Sequence, residues 1–179
     1  MKIAPRDLAY CGLFGAAALL LPVLFHLVSL GAVFMPLYLP LVALAFFVGP
    51  LPAAVTALLT PLLSGTLTGM PPFYPPIAEG MAIELAVMVA TIAAVVRRWP
   101  RCNEWLVLIP VLLLGRVLSA GLAYGFSRLI HLPAGYVAGI SLLSGWPGII
   151  LMSVVVPPVA RLGRRSARRA GSYALDAGD

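Results

Sequence analysis

Between Leu8 and Ala160 the sequence is a succession of apolar runs, most of them close to the ~20 residues that a helix needs to cross the hydrocarbon of a bilayer. This constrains the fold more than any motif, because a backbone in lipid must satisfy its own hydrogen bonds, and runs of this length do so as helices. Six such segments can be drawn, at 8–30, 36–48, 51–67, 77–96, 105–130 and 136–160. The second is short and flanked by prolines, and Gly49-Pro50-Leu51-Pro52 after it reads as either a tight turn or a kink. With 61% hydrophobic and 10% charged residues in a chain of 179, and a mean hydropathy of +1.03, the expectation is one all-α membrane domain over 1–165. The 17 prolines and 17 glycines suit broken helices around a pocket. A basic, then polar tail at 166–179 is expected to be disordered.

Charge supplies the topology. Lys2 and Arg6 precede the first segment, Arg97, Arg98 and Arg101 separate the fourth from the fifth, and Arg161, Arg164, Arg165, Arg168 and Arg169 follow the sixth. If all six segments cross, these cations share one side, and the positive-inside rule puts both termini in the cytoplasm. The first segment is too long for the apolar part of a secretory signal and reads as a true span. The net charge of +6 does not imply nucleic acid: the run RLGRRSARR has no interleaved aromatics to stack bases and suits anionic lipid.

Catalytic signatures are missing. The two histidines and two cysteines form no ligand-spaced cluster, so no metal or cofactor is expected. The serines have no base at motif spacing, and no glycine-rich loop with its lysine could hold a nucleotide, so the chain is expected not to be an enzyme or to carry its own ATPase.

The informative stretch is TGMPPFYPPIAEGMAIE at 68–84, a proline-rich connection that carries Tyr74 and leads two carboxylates into the fourth segment. Glu79 can rest in the headgroups. Glu84 lies deeper, where an ionised group is costly without a partner and usually functional. Toward the same outer half the topology sends Tyr124, Arg128, Ser141, Ser144 and Trp146, a sparse polar and aromatic set that suits a small organic solute. Measured from the outer helix ends, Arg116 should lie ~20 Å deep against ~10 Å for Glu84, which makes Arg128 the better-matched partner. In the first segment Gly12 and Ala16, with Gly15 and Ala17, leave one face nearly free of side chains, for packing inside this protein or against another helix.

The runs MPLYLPLVALAFFVGP at 35–50 and LTPLLSGTLTGMPP at 59–72, followed by an acidic residue in the next helix, resemble the S components of energy-coupling factor (ECF) transporters. That resemblance implies a bacterial or archaeal cell-membrane protein that captures a vitamin-like solute through Glu84, Arg128, Tyr74, Tyr124, Ser144 and Trp146. It also implies partners: a transmembrane coupling subunit docked on Gly12 and Ala16, where the family usually has Ala-x-x-x-Ala, and two ATPase subunits. The same topology is open to a non-transporting six-span scaffold of the cell envelope, or to a transporter acting alone.

Overall fold

A computed structural model describes the backbone of residues 4–27, 34–74, 76–129, 131 and 145–176, with side chains to residue 25 in the first of these stretches and to 163 in the last. Every regular element among them is helical: α1 (Pro5–Leu27), α2 (Tyr38–Leu44), α3 (Pro50–Thr68), α4 (Ile77–Arg98), α5 (Glu104–Leu129) and α6 (Trp146–Asp176). Five of these helices are long and apolar enough to cross a membrane. The exception is α2. Its seven residues rise only about 10 Å, so the expected second span is, as a helix, about a third of a bilayer core.

The shortest helix is nonetheless the centre of the core. Tyr38, Pro40, Leu41, Val42, Ala43 and Leu44 are all buried, followed by Ala45, Phe46 and Val48. A helix apolar on every face is stable only when neighbours cover every face. Pro40 falls in the first turn, where its missing N–H would have had no partner. After Leu44 the chain tightens: Phe46 and Phe47 donate to the carbonyls three residues back at 3.1 and 2.9 Å. Gly49 is then extended at φ −71°, ψ 167°, and α3 starts with Pro50 at its first position.

Side-chain contacts set the helix directions. Tyr38 meets Glu84 and Gly49 meets Arg97, so α2 runs parallel to α4. The α3–α4 pair is a hairpin with the most extensive interface in the fold, so Gly49-Pro50 reverses the chain and is the turn rather than a kink. Cys11 and Gly15 of α1 lie beside Pro52 and Thr56, parallel to α3. Gly148 and Gly163 of α6 lie beside Phe34 and Phe47, parallel to α2. The six segments therefore alternate in direction, with 49–50, 99–103 and 161 gathered at one end.

Residues 69–73 of the connection that follows α3 are tied to the helices on either side. Gly69 caps α3 in the left-handed region at φ 74°, a conformation that favours glycine, and donates to the Gly65 carbonyl at 3.0 Å. The Ser64 hydroxyl donates to the Met70 carbonyl at 2.7 Å, and Ala78 N–H donates to that of Pro72 at 3.1 Å. Phe73 folds back on Gly65, where a Cβ would sit 2.8 Å from its ring and from the Pro71 carbonyl oxygen. At the far end the helix continues through the basic run to Asp176, so the stretch from 166 that composition assigned to a disordered tail has helical backbone as far as that residue.

Candidate functional site

Glu84 lies in the middle of α4 and is 1% exposed. Both carboxylate oxygens are engaged: Arg116 Nη2 donates to Oε1 at 3.0 Å and the Tyr38 hydroxyl donates to Oε2 at 2.8 Å. Arg116 is 6% exposed and Tyr38 2%, so a charge pair and a phenol are held together away from solvent among hydrocarbon neighbours. Removing two charges from water costs several kcal/mol each, which only close, hydrogen-bonded geometry offsets.

The partner is Arg116, not Arg128, and the reason lies in where the helices are joined. Glu84 lies 14 residues before Arg98, the end of α4, and Arg116 lies 12 residues after Glu104, the start of α5. Measured from that shared turn they stand at about 21 and about 18 Å, one level. Depth taken from the opposite end misleads because α5 runs 13 residues past Arg116 whereas α4 begins seven before Glu84, an overshoot of roughly 9 Å. Arg128, 12 residues further along α5, is about 18 Å above the pair. It is exposed and lies over the Tyr124 ring, 5.9 Å from its centroid.

Two elements begin at the level of the pair. Tyr38 opens α2, and Gly145, at φ 81°, precedes α6 so close to the guanidinium that a Cβ there would be 2.8 Å from Arg116 Nη1. Met35 stands against the same glycine at φ 47°, a backbone region sparse for non-glycine residues. Gly115 lets α5 approach α4, since a Cβ there would lie 3.3 Å from Glu84 Oε1 and against the Met88 thioether. Gly115 thus brings α5 onto the carboxylate, and Gly145 brings the start of α6 onto its arginine.

The other expected site residues are not drawn into this cluster. Tyr74 is exposed in the 69–76 connection, Tyr124 is exposed on α5, and Trp146 is about half exposed in the first turn of α6. Ser141 and Ser144 lie outside the described residues. Glu79, in the first turn of α4, is half-buried, and its Oε2 is buried with no hydrogen-bond partner among the described residues. On α1 the small residues divide: Gly15 faces Thr56, whereas Gly12 and Ala16 are exposed and a Cβ on Gly12 would meet nothing within 4 Å.

Tyr38 carried no sequence signal as a site member: a tyrosine in an all-apolar segment has no periodicity to say which neighbour it meets. Arg116 could have been found by counting from the arginine-rich turn. The chain matches no protein-family model, no curated protein and no solved structure.

Proposed function

We propose that this protein is the solute-capture subunit of an ECF-type uptake transporter. It spans the membrane six times, with the 69–76 connection outside and both termini in the cytoplasm. It takes a small, vitamin-like organic molecule from the outer side and passes it on with a transmembrane coupling subunit and two ATPase subunits. The observation that carries this reading is the Tyr38–Glu84–Arg116 cluster, an ion pair kept in hydrocarbon at the level where α2 and α6 begin. Ionised groups at that depth mark solute and ion pathways, and interrupted helices place polar backbone ends where a cavity can use them. The exposed Tyr74, Tyr124 and Arg128 lie on the outer side of this layer and Trp146 at its level, and together they supply the aromatic and polar contacts of capture. The exposed face with Gly12 and Ala16 serves the coupling subunit.

One observation favours a second reading. Each oxygen of Glu84 already has a protein donor, as a purely structural lock in a membrane scaffold would require.

The two readings part in a thermal-shift screen of the detergent-purified protein against water-soluble vitamins, their precursors and modified nucleobases, without nucleotide or metal. Solute capture requires at least one stabilising compound, which at a hundredfold excess over its Kd adds ~2.7 kcal/mol. A flat response across the panel supports the scaffold. With a hit in hand, the shift is repeated on Glu84→Gln; equal shifts in the two proteins remove Glu84 from the binding site.

A further inference from the structure

We propose that the turn joining α4 to α5 binds the phosphate of an anionic phospholipid headgroup. The inference rests on the membrane reading of these helices but not on solute capture.

The turn is tight and cationic. Trp99 N–H donates to the Val95 carbonyl at 2.9 Å and Cys102 N–H to that of Trp99 at 3.1 Å, so Arg98, Trp99, Pro100, Arg101 and Cys102 line one open hollow of about 550 Å³. Arg98 and Arg101 are exposed, and Arg98 lies over the Trp99 ring, 5.7 Å from its centroid. Neither arginine has a carboxylate partner among the described residues: the two ion pairs there are Arg116–Glu84 and Arg161–Glu104. Glu104, the acidic residue nearest in sequence, is 9% exposed and accepts from Arg161 Nε of α6 at 3.1 Å. The third arginine, Arg97, is folded over Gly49, where a Cβ would be 2.9 Å from its guanidinium carbon.

Two guanidinium groups with no carboxylate partner among the described residues therefore flank a tryptophan that is 55% exposed at the end of a membrane-length helix. Trp at such an end sits at headgroup depth, and arginine binds phosphate oxygens through a planar fork of donors. Leu106, on the first turns of α5, is 72% exposed, and Val87 on α4 is also exposed, so both helices that leave the turn offer apolar surface to an acyl chain. A phosphatidylcholine headgroup would bring its own cation against the arginines. Phosphatidylglycerol would not.

The test is native mass spectrometry of the full chain released from detergent micelles containing phosphatidylglycerol and phosphatidylcholine with identical acyl chains. Phosphatidylglycerol adducts are expected to be preferred by about fivefold for each arginine, with the preference lost in Arg98→Gln/Arg101→Gln and kept in Arg98→Lys/Arg101→Lys. The control Arg164→Gln/Arg165→Gln keeps it. Equal retention of the two lipids overturns the proposal, as does a preference that survives Arg98→Gln/Arg101→Gln or is lost only in the control. Displacement of the lipid by equimolar glycerol 1-phosphate would make this a soluble-anion site and overturn it too. Each variant is also titrated with the stabilising compound from the solute screen, so loss of lipid preference with solute binding intact separates this site from the capture site.

Discussion

Removing both charges of the buried pair should harm the protein less than removing either one. In Glu84→Leu the Arg116 guanidinium, with 7% of its side chain exposed, keeps its charge but loses its counter-ion in a layer that water does not reach. Breaking such a pair from one side costs ~3–5 kcal/mol. Arg116→Met leaves the carboxylate without its counter-ion, with Tyr38 as donor, and should fall in the same range. In Glu84→Leu/Arg116→Met neither charge of the pair remains, and replacement by apolar groups of similar volume is close to neutral for the pair itself. What persists is the Tyr38 hydroxyl, 2% exposed and stripped of its acceptor, at ~1–3 kcal/mol. The double variant should therefore be more stable than either single one by roughly 2 kcal/mol, a coupling that independent sites do not show. Equilibrium unfolding of the purified protein in mixed micelles, titrated with sodium dodecyl sulfate, measures all four species. Single variants within ~0.5 kcal/mol of the unmodified protein, or a double variant whose loss is the sum of the two, would refute the desolvated pair.

Gly12→Leu or Ala16→Leu, on a face of α1 where a Cβ at Gly12 meets nothing, should leave stability and solute binding unchanged while abolishing assembly with the coupling subunit, scored by co-purification; loss of folding instead would assign the face to internal packing. Gly65→Ala would drive a Cβ to 2.8 Å from the Pro71 carbonyl and the Phe73 ring, and since backbone gives way less easily than a side-chain tip, ~1–3 kcal/mol should be lost in the same unfolding assay. A cysteine at Phe73 should react with a membrane-impermeant maleimide in intact cells, and one at Ser172 only after the membrane is opened; the reverse pattern would turn the proposed topology over.

Apolar run length and the grouping of arginines were enough to read a helical membrane bundle and to place most helix ends within a few residues, because both follow from local composition acting against a bilayer. Gly49-Pro50 could be narrowed to turn or kink from its residues, but the choice depended on what lay across from it, and the contact of Gly49 with Arg97 decided it. The same holds for the site. That Glu84 needed a partner follows from an acid in an apolar run; which partner depended on helix overshoot at one end and close approach at Gly115, distances that no spacing along one helix contains. Tyr38 shows the limit most plainly. Within MPLYLPLVALAFFVG every face of the helix is apolar, so nothing local distinguishes the face that meets α4 from the one that meets α6. Only the packing of α2 between them turns its phenol onto the carboxylate, since side-chain direction in a fully buried element is set by its neighbours and not by a polar and an apolar side of its own.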